Sequence, residues 1–577
     1  MKCKKLLKPR VMCVLVGGMF SSYAFAQNQT PSLEITATGS QEATQSILTP
    51  TKILQGDELA NKLGGTLGAT LANELGVSAT GYGAGSSRPV IRGLEGSRVQ
   101  ILQNGLSVGD VSNISQDHAV GNNMQNTHQV EILRGAAALL YGSGSSGGLV
   151  NVVNDRILTN LPDRPTGAFN TSYETVNNGR AGSIEVDGAM GSVAVHVDTA
   201  INNANNYSIP GSSTQSQGEP IGGWTVPPEG NGGKNYTGKL PNTYSNQNNL
   251  GFGVSYIGKS GYTGVSVERL NNNYGIPTPE GGSINQSQNR YDIQHQTRDP
   301  FSGFSSFKFS AANSNYKHTE FSNNGVASTQ WNNTATEARL EMAHKEFLGS
   351  KGIIGAQVTG ATLNATDLTT GNYAIVPQTK SNSTALFLIE EGRYGPVKTS
   401  LGARYNYATQ NPNSTTQFPS ASSQEFVPNS YGPPSLQNRQ FNLMSYSAGG
   451  LLDVAKGYGL GLSYTVSQRA PSAQELYSYG PHDSTATFDI GNSNLGTETS
   501  HNVEVNFQKT LGLIRSKASI YRNQFTNYIY GFYTGSYSQA NENFSVVQAS
   551  QANASIRGAE GEISYNWNQT GVGARVF

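Results

Sequence analysis

From about residue 165 to the end of the chain, one pattern recurs. Short segments with period-two alternation are separated by stretches rich in Gly, Asn, Ser and Pro. In Ser192–Thr199, Val193, Val195 and Val197 share one face, and Ala194, His196 and Asp198 share the other. Asn502–Gln508 repeats the arrangement with Val503, Val505 and Phe507 opposite Glu504 and Asn506. Alternation of this kind leaves two architectures. One is a soluble sandwich that buries its apolar face. The other is a membrane barrel with apolar side chains outward and polar ones inward. No later stretch approaches the roughly 18 apolar residues of a transmembrane helix. A chain without helical spans can still cross a membrane as a closed barrel, because closure pairs every backbone group.

The N-terminus favours export. Lys2, Lys4, Lys5, Lys8 and Arg10 precede a short apolar run, Val11–Phe20, and Ala24-Phe25-Ala26 is a small-x-small cleavage site. Residues 1–26 therefore read as a signal peptide, with the mature chain starting at Gln27. Both cysteines, Cys3 and Cys13, lie in that segment. The mature chain is then expected to have no disulfides, thiolate metal sites or cysteine nucleophiles. Charged residues are 13% of the chain and the formal net charge is zero. Ordinary soluble domains carry about 25% charged residues, and neutrality implies no polyanionic partner such as nucleic acid. With no Ser-His-Asp constellation on recognisable motifs and no nucleotide loop, an enzyme is not expected.

Two segments about thirty residues apart add a family. Arg88-Pro-Val-Ile-Arg-Gly-Leu-Glu-Gly-Ser-Arg98 runs on to Gly105, and Gln129-Val-Glu-Ile-Leu-Arg-Gly135 runs on through Leu140-Tyr-Gly-Ser-Gly144 to Val153. In order and spacing they resemble the plug domain of TonB-dependent outer-membrane receptors. The resemblance implies an all-β transmembrane barrel with an N-terminal α+β plug in its lumen. Residues 27–50 would be an N-terminal segment, 51–160 the plug and 165–577 the barrel. Within the first segment, Leu33, Glu34, Ile35, Thr36, Ala37 and Thr38 resemble the TonB box, which the energy-coupling TonB complex grasps by strand addition. A short helix is expected within Gly64–Leu75. Long loops are expected at 202–247, 271–300, 409–442 and 468–499, on the extracellular side. About 16 or 17 strands are legible, against the 22 of the family's transporters, so the barrel reads as incomplete at its C-terminal end. Arg92 and Arg134 are expected to tie the plug to barrel carboxylates such as Glu504 or Glu560.

Three further segments resemble the ZnuD-type zinc-uptake branch of that family: Gln116-Asp-His-Ala119 in the plug, Glu337-Ala-Arg-Leu-Glu341 in the barrel, and Pro471–Tyr477 followed by His482 and Ala486–Asn492. The resemblance implies a zinc site of Asp117, His118, Glu341 and His482. Two imidazoles and two carboxylates are a donor set that Zn²⁺ accepts, and Ni²⁺, Co²⁺ or Mn²⁺ could compete on ligand type. Strand phase turns Glu341 into the lumen, with Leu340 and Met342 toward lipid. Each group also has a plainer reading: solvated loop histidines for His118 and His482, a turn cap for Asp117, a plug–barrel salt bridge for Glu341. His196 is expected to line the lumen, His344 to face lipid or sit in a turn, and His295 to lie in a loop near Asp292. The chain has only eight histidines and lacks the His-rich loop of the branch. The alternative is a haem or siderophore-iron receptor. Arg469-Ala-Pro471, His482 and Asn492-Ser-Asn-Leu495 fit the order of a haem-receptor motif, with His118 as second axial ligand. No prosthetic group is expected; zinc, or haem, would be the cargo. The expected partners are the TonB complex, outer-membrane lipid and the metal or metal complex.

Overall fold

The computed structural model describes residues 52–213, 236–277, 282–415, 431–482, 485, 487–538, 544–567 and 572–576. The signal peptide and the Leu33–Thr38 segment lie outside these residues. The plug is built on a five-stranded sheet in the spatial order Lys52–Gln55, Gln129–Leu133, Gly148–Val153, Val99–Gln103, Leu106–Ser107. The central strand Gly148–Val153 is buried at all six positions, which is why its sequence is a near-continuous apolar run rather than an alternation. Leu54, Leu59, Leu71, Ile91, Val130, Ile132, Val150 and Val152 form one core beneath it. The helix expected within Gly64–Leu75 is shorter, Leu67–Leu71, and starts where the Thr66 hydroxyl accepts the Ala69 N–H at 3.2 Å.

Among the described residues nineteen strands belong to the barrel sheet; two of them, Tyr479–His482 and Thr487–Ile490, belong to an outer loop, which leaves seventeen in the wall, from Thr166–Glu174 to Val572–Val576. Consecutive wall strands pair antiparallel. In Ser245–Ile257 burial alternates almost residue by residue, with Leu250 and Phe252 exposed outward and Asn249 and Gly251 buried inward. That is the lipid-out, plug-in phase a membrane barrel requires.

Loops 202–247, 409–442 and 468–499 match the gaps between strands ending at Ala204, Pro412 and Arg469 and those beginning at Ser245, Arg439 and Glu498. The segment 271–300 does not. Strands Gly261–Ile276 and Gly282–Arg298 continue through most of it, pairing Asn271 with Ser287 and Asn273 with Asn285. A strand of 17 residues spans roughly 54 Å at about 3.4 Å per residue, twice the ~25 Å apolar band of such barrels. The outer halves of these strands stand clear of lipid, so their composition is that of a loop. His295 sits on the second of these strands, its Nδ1 in a hydrogen bond with Thr263 Oγ1 at 2.8 Å.

Candidate metal centre

Three separate bodies meet at the outer end of the lumen. The plug chain between Leu106–Ser107 and Gln129–Leu133 rises there and carries Asp117 and His118. It is fixed by Ser86 Oγ donating to Gln116 O at 2.7 Å, and by Tyr274, whose hydroxyl donates to Asp117 O and accepts the Ala119 N–H, both at 2.9 Å. The barrel strand Phe304–Ser322 brings Glu320, two residues from its outer end. The outer loop brings His482, last residue of the short strand Tyr479–His482. That strand pairs with Thr487–Ile490, which adds parallel to the wall strand at Ser545–Gln548. Gly480 is needed in this strand, because a Cβ there would lie 2.3 Å from Ala374 O.

One donor atom from each of Asp117, His118, Glu320 and His482 lies within 4.8 Å of the other three. His118 Nε2 is 3.4 Å from Glu320 Oε1 and 3.6 Å from Asp117 Oδ2, and His482 Nε2 is 3.7 Å from Asp117 Oδ1. A tetrahedral zinc with ligand bonds of about 2.0–2.1 Å has donor–donor edges of about 3.3–3.4 Å. Three of the donor pairs, at 3.4, 3.6 and 3.7 Å, lie within a few tenths of an ångström of that edge, and all four donors lie within 4.8 Å of one another, so the set could close on one bare cation by drawing in. All four are buried, Asp117 completely and Glu320 the least at 5% exposed.

The surroundings aim the donors inward. His118 Nδ1 lies 3.3 Å from Val111 O, and His482 Nδ1 lies 3.2 Å from Asp489 Oδ2. Each contact takes the Nδ1–H and leaves Nε2 facing the centre, the usual arrangement of metal-binding imidazoles. Among the described residues His482 Nε2 has no hydrogen-bond partner although it is buried, a cost that a bound cation would remove. Trp331 Nε1 donates to Glu320 Oε1 at 2.8 Å, and the Ser115 hydroxyl donates to Asp117 Oδ1. An apolar cluster that includes Val111, Tyr316, Trp331, Leu476 and Tyr477 packs around the site. Burial alone would raise the Asp117 pKa, yet the neighbouring His118 and His482 hold its carboxyl well below the usual range. Burial pushes the His482 imidazole down, and Asp117 and Asp489 more than reverse that, so its pKa stands well above the ordinary histidine value.

Residues 223–576 match the family model for the TonB dependent receptor-like β-barrel, and residues 43–149 match that for the TonB-dependent receptor plug domain. The chain belongs to the TonB-dependent receptor family. Solved structures of similar fold include copper transporter OprC, with 14% identity over 90% of this chain and 78% of that one at a TM-score of 0.70. The Serratia marcescens hemophore receptor HasR, in complex with its hemophore and heme, has 13% identity over 90% and 80% at 0.70. The siderophore receptor PirA from Pseudomonas aeruginosa has 16% over 90% and 82% at 0.63. This receptor is thus a plugged barrel of a family of outer-membrane transport receptors that work with TonB. Its relatives in fold handle copper, haem and siderophores.

In this receptor Asp117, His118 and His482 come together, but Glu341 does not join them. Glu341 Oε1 accepts from Arg339 Nη2 at 2.8 Å and pairs across the sheet with Lys308. Lys308 is twelve residues from Glu320 on the same strand, about 40 Å along it at 3.4 Å per residue. Strand phase did turn Glu341 inward, but at the periplasmic end. Glu320 takes the fourth position. Its signal was His318-Thr-Glu320, two metal-binding side chains at the loop end of a strand and on one face. The plug arginines meet carboxylates of the wall. Arg92 donates to Glu504 at 2.8 and 2.9 Å and to Glu560 at 2.9 and 3.1 Å, and Arg134 donates to Glu560 at 3.1 Å. His196 lies inward, 2.6 Å from Asp187, and His344 ends its strand 2.9 Å from Glu390.

Proposed function

We propose that this receptor imports a divalent metal ion, zinc foremost, across the outer membrane, holding it on Asp117, His118, Glu320 and His482. The observation that carries the reading is a buried four-donor cluster whose donors lie within 4.8 Å of one another, with the Nε2 of His482 lacking a hydrogen-bond partner among the described residues. The donors are oxygen and imidazole nitrogen, which suit zinc. Copper(II) would bind the same ligand types more tightly still, so selectivity has to be measured against it. Haem fits poorly. Asp117 lies within 3.7 Å of both the His118 and His482 imidazoles and Glu320 lies 3.4 Å from His118, so carboxylates occupy the space that a macrocycle between the two rings would need.

In this reading the ion enters from outside and bridges plug, wall and outer loop. The TonB complex engages Leu33–Thr38 and pulls. Plug movement carries Asp117 and His118 away from Glu320 and His482, and the broken ligand set releases the ion inward. The direct test is metal content by mass spectrometry on detergent-purified protein equilibrated with an equimolar mix of divalent metals. Wild type and Glu341→Gln should retain about one zinc per chain, Glu320→Gln should lose most of it, and His118→Ala/His482→Ala should lose all. A wild type that binds no metal would overturn the site and redirect attention to haem and siderophores.

A further inference from the structure

A buried chain of ion pairs runs from the plug to the loop that carries His482, and it touches none of the four donors. Arg98 closes the 3-10 turn Gly96–Arg98, directly before the plug strand Val99–Gln103. Its guanidinium donates to Glu498 at 2.8 and 2.5 Å and to Ile529 O at 2.6 Å, and it lies 3.8 Å over the Tyr528 ring. Glu498, first residue of the wall strand that follows the outer loop, also accepts from Arg469 at 3.0 and 3.1 Å. Arg469, last residue of the preceding wall strand, donates with its other edge to both oxygens of Glu475 at 2.8 Å. Glu475 is the third residue of the helix Ala473–Tyr477. It completes a capping box with Ser472, accepting the Ser472 N–H at 2.7 Å while the Ser472 hydroxyl accepts the Glu475 N–H. The loop strand ending at His482 begins two residues after that helix. The plug touches the chain again at Gly144. There a positive φ and a would-be Cβ only 2.4 Å from Arg469 Cβ admit glycine alone.

We propose that Arg98 and Glu498 are positioning residues for His482, so that displacing the plug disorders the fourth ligand as well as removing the first two. The physical reason is the cost of a half-broken network. Glu498 has both arginines and the Ile529 N–H on one carboxylate. Withdrawing Arg98 leaves an arginine–glutamate–glutamate remnant carrying an unpaired buried negative charge. The nearest response is for Arg469 to re-centre on Glu498 and let go of Glu475, which unfastens the helix cap. Helix and hairpin together make up the segment that holds His482 over the plug. The inference rests on the metal-site reading for its consequence and on its own geometry for the linkage.

Two measurements separate these. The first is a double-mutant cycle in zinc affinity by chelator competition. Arg98→Ala should weaken binding about 10–100-fold, as loss of a supporting partner does. In the His482→Ala background it should weaken it no further, because it acts through His482. Additive losses would overturn the proposal, since an arginine that merely seats the plug would harm Asp117 and His118 too. Glu475→Ala, which removes both the ion pair with Arg469 and the capping box, should behave like Arg98→Ala and serves if that variant does not fold. The second is hydrogen exchange of the metal-free protein. Both variants should speed exchange of the amides of 473–482. Unchanged protection there would overturn the linkage whether or not zinc binds, whereas a wild type that binds no zinc sinks the metal site alone.

Discussion

Replacing Asp489 by asparagine tests the site through the proton on His482. The Asp489 carboxylate sits 3.2 Å from His482 Nδ1 and is itself held by the Thr487 hydroxyl at 2.8 Å. As a carboxylate it can only accept, so it holds a ring proton on Nδ1, and the proton that an incoming cation displaces is the one on Nε2, which faces Asp117. The carboxamide of Asp489→Asn can present an N–H to Nδ1 instead. That leaves the ring's remaining proton on Nε2 and blocks one of four ligands. Partners of this type are worth 10–100-fold in metal affinity, which is about 1.4–2.7 kcal/mol. Asp489 is partly exposed and contributes to no apolar cluster, so the fold should tolerate the change. Zinc affinity by competition with a chromophoric chelator reads the effect directly, with Glu341→Gln as a control expected to match wild type. If Asp489→Asn binds zinc as wild type does while His482→Ala does not, the orientation argument for His482 is wrong.

Arg92→Ala should leave buried Glu504 without its arginine and Glu560 with Arg134 alone, and loosen the seated plug by about 3–5 kcal/mol, read as faster exchange of amides in 129–133 and 148–153; unchanged protection would count against the lock. His128 bridges Asp155 at 2.9 Å and Glu185 at 2.7 Å, and these contacts, Asp155 first, raise its pKa from 6.5 to about 10. Its folded pKa is the higher one, so its stabilisation is full below pH 6.5 and lost as pH rises through about 10. Partial exposure keeps that to ~1 kcal/mol. The melting-temperature gap between wild type and His128→Gln should therefore shrink across that window, and a gap independent of pH would refute the assignment. Deleting residues 33–38 should abolish zinc uptake by cells and leave zinc binding by the purified receptor intact; uptake that persists would exclude pulling on that segment.

The class of fold was legible because membrane barrels write their two faces into alternate residues. Val193, Val195 and Val197 face outward for the reason period two predicts. Legibility failed where lipid stops dictating composition. The Asn- and Gln-rich outer halves of the strands through 271–298 read as loop, because above the membrane nothing demands apolar side chains. The same limit explains Glu341. A one-dimensional pattern gives the inward phase of a residue and says nothing of its height in the barrel. Glu341 and Glu320 both face the plug, near opposite ends of paired strands. Asp117, His118 and His482 were singled out through motifs, while the only mark on Glu320 was its spacing from His318 in a polar outer strand end, where lipid imposes no contrast between the two faces.

A ligand set divided among plug, wall and loop has one consequence that can be measured without transport. On the proposed reading zinc would bind the assembled set and not its parts, so zinc affinity and plug position would be linked, and that linkage would be reciprocal. If moving the plug weakens zinc a hundredfold, about 2.7 kcal/mol, then bound zinc holds the plug seated by that same amount. Cargo binding on its own therefore opposes inward release, and the work must come from outside the receptor, which is the sense of a TonB-dependent import. Saturating zinc should accordingly slow amide exchange through the strands 99–103 and 129–133, with the largest protection at 110–120 and at 473–482. The effect should vanish in His118→Ala. Exchange that zinc leaves unchanged, or accelerates, would mean that the ion does not bridge plug and wall, and that a site confined to one body has to replace the shared one.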